Sequence, residues 1–82
     1  LEDPLKPVFF GASWCVPCKK TYPLFVKVTG EDGEYVDVEY GDSRANDITS
    51  VPTIRVYDDY GQVVREHRGG ATEGQLRALI GG

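Results

Sequence analysis

The run Val8-Phe9-Phe10 is apolar at every position. A strand apolar on both sides is buried on both sides, as at the centre of an α/β sheet. Ahead of it, the two prolines and mixed charge of Leu1 to Pro7 read as a lead-in segment, with Pro7 at the strand edge. Past Gly11-Ala12-Ser13 the period lengthens. Phe25, Val28 and Thr29 fall on one side of a helix, with Lys19, Lys20 and Lys27 elsewhere, which predicts a helix from about Cys15 to Thr29. Pro23 lies well inside it and is expected to bend it. The polar turn from Thr29 to Glu34 ends the helix, with Gly30 as its C-terminal cap. Tyr35 to Tyr40 then alternates, Val36, Val38 and Tyr40 against Asp37 and Glu39, which predicts a strand with one polar side.

Gly41 to Ser50 is polar, with Ile48 its only large apolar residue. It reads as a loop with one helical turn near Ser43–Asp47. Val51-Pro52 opens a strand over Thr53 to Tyr57. Asp58-Asp59-Tyr60-Gly61 is a hairpin turn in which Gly61 supplies a positive φ. Gln62 to Arg68 returns antiparallel and stops at Gly69-Gly70. Thr72-Glu73-Gly74-Gln75 matches a capping box, and Leu76, Leu79 and Ile80 share the face of the helix that follows. Gly81-Gly82 ends it. Of the five tyrosines, Tyr35, Tyr40, Tyr57 and Tyr60 read as strand aromatics.

The order β-α-β-α-β-β-α, with the second helix short, is an α/β arrangement. The first two strands should be parallel through a right-handed crossover and the last two a hairpin. A mixed four-stranded sheet with helices on both faces follows. At 82 residues the chain, 1–82, is expected to form a single domain with a small core. A net charge of −4 argues against nucleic acid as a partner. No apolar run approaches the ~20 residues of a membrane span, so no membrane partner is expected. There is no signal-peptide pattern and no methionine, so Leu1 reads as the start of a processed or excised product. Two cysteines are too few for a disulfide-built secreted scaffold, which makes a reducing cytoplasmic compartment and a monomer the expectation.

Both cysteines lie in Trp14-Cys15-Val16-Pro17-Cys18-Lys19, where the first strand gives way to the first helix. The first turn of a helix has unpaired N–H groups and a partial positive charge. A Cys15 thiolate would be stabilised there and would be the attacking sulfur. Cys18, nearly one turn on and further in, is placed to attack a mixed disulfide on Cys15 and release the partner. Pro17 fits the first turn, where its missing N–H costs nothing. Trp14 can shield the sulfur and offer an apolar surface to a substrate. Two other readings stand beside this one. A zinc site needs about four ligands, and the chain adds only His67 to its two cysteines. A purely structural disulfide would close too short a loop to restrain the unfolded chain much. Lys19 and Lys20 read as solvated helix surface or as support for a Cys15 thiolate. His67 reads as an exposed strand residue. Gly69 lines a substrate groove that a side chain would block, or simply ends a strand.

Taken together, Trp-Cys-x-Pro-Cys-Lys at 14–19, Pro23, Val51-Pro52-Thr53, Gly61, Gly69 and the capped last helix resemble the thioredoxin superfamily over about Pro7 to Ile80. The resemblance implies a thioredoxin-like fold of glutaredoxin size, lacking the extra N-terminal strand and helix. It implies a protein-disulfide reductase working through Cys15 and Cys18, with no cofactor beyond that redox-active pair. Its partners would be disulfide-containing client proteins and a flavin-dependent reductase. It also implies a cis Val51–Pro52 bond beside the sulfurs, with the backbone of Val51 free to pair with an extended substrate. Trp14, Val16, Pro17, Val51, Pro52 and Gly69 would then form the client-binding surface. Two departures change the chemistry. Phe9 stands where the family usually has a buried aspartate beneath the second cysteine, leaving water, Asp37 or Glu39 to take the Cys18 proton. Val16 replaces the usual glycine and stiffens the turn. Two alternatives remain at this stage: a binding module whose disulfide is incidental, and an oxidase or isomerase of secreted proteins.

Overall fold

The apolar run at the start of the chain does lie at the centre of the sheet. In the computed structural model, which describes residues 5–81, β1 (Lys6–Gly11) has a neighbour on each side. The start of the lead-in segment and the final glycine fall outside the described residues. Strand β2 (Glu34–Asp37) runs parallel to β1, with Phe9 opposite Tyr35. Strand β3 (Thr53–Tyr57) runs antiparallel to β1, with Phe9 opposite Ile54. Strand β4 (Val63–Arg68) completes the order β2-β1-β3-β4. Pro7 sits within β1, but pairing with β2 begins only at Val8, so the missing N–H falls where β1 has one neighbour.

Alternation along β1 divides the core in two. Phe9 and Ile54 point to the face that holds Cys15, Cys18, Phe25 and Leu76. Phe25 lies on α1 (Val16–Thr29) and Leu76 on α2 (Glu73–Gly81). Fully burying such side chains stabilises by roughly 1.5–3 kcal/mol each. Helix α1 continues through Pro23 to Thr29, and a single 3₁₀ turn at Gly30–Asp32 leads to β2. Helix α2 starts as the sequence pattern predicts. Gln75 N–H donates to Thr72 Oγ1 at 3.2 Å, and Thr72 N–H donates to Gln75 Oε1 at 2.9 Å.

The opposite face differs from expectation. Both α-helices share the Phe9 face. Val8, Phe10, Val36 and Tyr57 are instead covered by Ala45 and Ile48, from a stretch whose only helical piece is the 3₁₀ turn Ser43–Ala45. That stretch has too few apolar residues to pack as an amphipathic helix, and charge holds it down. Arg55, 8% exposed on β3, reaches Asp47 through both terminal nitrogens at 3.1 Å and Glu66 Oε2 through Nε at 2.7 Å. Its guanidinium carbon lies 5.7 Å from the centre of the Phe10 ring. Arg44 likewise bridges Glu34 and Asp42.

Strand β2 is also shorter than the alternation suggests. Asp37 Oδ1 accepts the Glu39 N–H at 2.9 Å, and Tyr40 N–H donates to Asp37 O at 3.1 Å, which turns the chain at Asp37. An Asp side chain that captures a backbone N–H two residues on competes with strand pairing. Tyr40 and Tyr60 therefore sit in turns, 85% and 86% exposed, and are not strand aromatics.

Candidate active site

Cys15 is the N-cap of α1, with φ −86° and ψ 109°, and its Sγ accepts the N–H of Cys18 at 3.1 Å. This is the geometry in which serine and aspartate cap helices, here with sulfur as the acceptor. Pro17 lies in the first turn, where no N–H is required. Cys15 and Cys18 are joined by a disulfide, their Cα atoms 5.2 Å apart. Both are 3% exposed, while Trp14 and Val16 beside them are 61% and 60% exposed. A nearly buried disulfide is thus rimmed by two large apolar side chains open to solvent.

Trp14 is held in place. Its Nε1–H donates to Glu39 Oε2 at 2.7 Å across the turn after β2. Of the two carboxylates the sequence offered as proton acceptors for Cys18, Glu39 accepts from Trp14 and Asp37 accepts the Glu39 N–H. Phe9 fills the core beneath the disulfide, in an aromatic group with Tyr22, Phe25 and Tyr35 at centroid distances of 5.2, 5.4 and 5.9 Å.

From the other side comes the start of β3. The Val51–Pro52 bond is cis, and Val51 packs against the cluster that contains both cysteines. Thr53 Oγ1 donates to Ser50 O at 2.8 Å, and Gly69 N–H donates to Pro52 O at 2.7 Å, tying this bend to the end of β4. Trp14 and Val51 share a groove of about 180 Å³ with Val38, Ile48, Thr49 and Ser50. So Trp14, Cys15, Cys18 and Val51 are brought together, with Pro52 and Gly69 behind Val51. Val16 and Pro17 lie on the exposed rim. Gly69 has a backbone reason to be glycine. Its φ is +92°, and a methyl there would meet no protein atom within 4 Å. The His67 ring lies 3.1 Å from Gly70 O, and Lys19 and Lys20 are exposed. Among the described residues, no group of three or more His, Cys, Asp and Glu side chains could hold a metal ion.

Three contributors escaped the sequence reading. Tyr22, one helical turn after Cys18 on α1, and Tyr35, brought near by the pairing of β1 with β2, line a cavity at Cys18. Burial raises the Tyr35 pKa, with the Asp37 charge adding to it. Arg55 anchors the loop that leads to Val51, and its signal was visible: an arginine inside an otherwise apolar strand demands a partner. Hydrogen bonds from Arg55 hold the Asp47 and Glu66 carboxyls below the usual range.

The family model for thioredoxin matches residues 5–81. A thioredoxin of Mycoplasma genitalium is 43% identical over 63% of this chain and 57% of its own length. A thioredoxin of Geodia cydonium is 33% identical over 95% of this chain and 78% of its own. The solved structure of Malassezia sympodialis thioredoxin superposes with a TM-score of 0.81 at 30% identity, over 96% of this chain and 74% of that one. The chain thus spans just over half the length of the Mycoplasma protein and about three quarters of the other two.

Proposed function

The chain belongs to the thioredoxin family, and on that footing we propose that it is a thiol–disulfide oxidoreductase that reduces disulfides in client proteins. The observation that carries this reading is Cys15 at the head of α1, its sulfur accepting the Cys18 N–H at 3.1 Å. A hydrogen bond to sulfur and the positive end of the helix both favour the thiolate. In the reduced protein, Cys15 thiolate attacks one sulfur of the client. The Cys15–client bond forms, the client disulfide breaks, and the client's second sulfur leaves with the electron pair. Cys18 then attacks Cys15, and the remaining client sulfur leaves as a thiolate. The client has gained two electrons and the protein holds the Cys15–Cys18 disulfide.

Trp14, Val16, Pro17, Val51 and Gly69 form the client-binding surface in this reading, with Pro52, fully buried, shaping the bend that presents Val51. A flavin-dependent reductase restores the dithiol, and the working compartment is the cytoplasm. An oxidase or isomerase would use the same atoms in the opposite direction. The equilibrium constant with glutathione separates the two, because it measures how far the reduced form is stabilised.

Insulin reduction with dithiothreitol tests the reading. Cys15→Ser should lose at least about a hundredfold in rate. Cys18→Ser should accumulate a mixed disulfide on Cys15. Full activity in Cys15→Ser would leave the fold as a binding module with an incidental disulfide.

A further inference from the structure

The cavity that touches the disulfide touches it at Cys18. It holds about 200 Å³ and is walled by Ala12, Ser13, Cys18, Lys19, Tyr22 and Tyr35. Gly11, just before these walls in the chain, is packed closely against the sulfur. A methyl group there would lie 3.3 Å from Cys18 Sγ, 3.2 Å from Tyr35 Cε1 and 3.0 Å from Phe9 Cε1. The volume far exceeds the ~10–15 Å³ that one water needs.

Cys18 must lose its thiol proton before it can resolve a mixed disulfide, because the thiolate is the nucleophile. Among the described residues no carboxylate lines the cavity, Glu39 and Asp37 included, and Phe9 fills the core beside it. The titratable walls are Lys19 and Tyr22 from α1 and Tyr35 from β2. Burial holds the Tyr35 phenol in its protonated form.

We propose that this cavity is the proton port of Cys18, through which solvent water, and no side chain of the protein, deprotonates the resolving thiol. The proposal rests on the oxidoreductase reading. Water in the cavity accepts the thiol proton and passes it to bulk solvent. Cys18 thiolate attacks Cys15 Sγ, the Cys15–Cys18 bond forms, the Cys15–client bond breaks, and the client sulfur departs with the electron pair.

Reaction of the reduced protein with 5,5′-dithiobis(2-nitrobenzoate) in stopped flow separates the steps, because each releases one coloured thiolate. The first phase is attack by Cys15 and the second is resolution by Cys18. With water as acceptor, the second-phase rate should follow the Cys18 thiolate fraction. It should then climb about tenfold per pH unit between about pH 6 and 8 without levelling off. An internal carboxylate would instead give a plateau already below about pH 7, and that plateau would overturn the proposal. Gly11→Ala, which puts a methyl against Cys18 Sγ and crowds water from it, should slow the second phase at least about fivefold and leave the first within about twofold. An unchanged second phase in a folded Gly11→Ala protein would overturn it, as would loss of that phase in Tyr35→Phe or Lys19→Met. Should Gly11→Ala not fold, the pH profile of the unaltered protein decides. Absence of the first phase would sink the oxidoreductase reading itself, a result distinct from any of these.

Discussion

Trp14 and Glu39, 25 residues apart, are joined by a 2.7 Å hydrogen bond from the indole Nε1–H to Oε2. The bond fixes the largest exposed apolar surface beside the disulfide to the turn that ends β2. Cutting it should hurt large clients more than small ones. Glu39→Ala should lower kcat/KM for insulin about three- to tenfold, the cost of one modest hydrogen bond of about 0.6–1.4 kcal/mol. It should leave the first phase with the aryl disulfide within about twofold. Equal losses with both substrates would show that Glu39 acts on the sulfur and not on client docking.

Arg55 presents a different dependence. Its guanidinium is nearly buried and serves two carboxylates, Asp47 and Glu66. Removing one member of a fully buried pair typically costs ~3–5 kcal/mol. Here the partners can regain water, so Arg55→Met should cost less, about 2–3 kcal/mol by denaturant unfolding. The same change should raise KM for insulin, because the Asp47–Val51 stretch that Arg55 holds carries one wall of the groove shared with Trp14. Arg55→Lys should recover little, since a single ammonium cannot reproduce the two-nitrogen contact with Asp47.

The capping box of α2 offers a local test. Thr72→Ala removes the acceptor for the Gln75 N–H and should cost about 1 kcal/mol of stability with no change in either phase of the aryl disulfide reaction. A change in the second phase would tie α2 to the disulfide through Leu76, which shares its core cluster.

What the sequence made legible was whatever local pattern dictates. The doubly apolar β1, the helix start at about Cys15, the Gly61 turn and the Thr72–Gln75 box each follow from neighbouring residues, and all lie where expected. The misreadings share a cause. Asp37 ended a strand that hydrophobic alternation extended to Tyr40, because a side chain competed for the backbone. The way the Val8–Phe10 face is covered depended on Arg55 finding Asp47, a pairing set by tertiary folding. The cavity at Cys18 arises because Phe9 and Tyr35 meet across two strands far apart in sequence, which no local window reports.

Acid should unfold the protein by releasing the same charge network. Asp42 is held at about 2 by hydrogen bonds from Arg44, and Glu34 is lowered by Arg44. Asp47 and Glu66 are lowered by Arg55, and Glu73 by Arg77 and Lys27. Each folded pKa lies below its unfolded value of 3.8 or 4.5, so the folded state binds fewer protons in this range. Stability from these groups is therefore fully present above about pH 4.5 and falls as pH drops through the folded values toward about 2. Most of these carboxylates are solvent-exposed, so salt should weaken the effect. Urea midpoints measured from pH 6 down to 2 should hold steady and then fall below about pH 4.5. Arg55→Met should flatten part of that fall, because it removes the largest cause that lowers Asp47 and Glu66 and leaves only Arg68 near them. An equally steep decline in Arg55→Met would mean that the Arg44 and Glu73 groups supply the acid sensitivity.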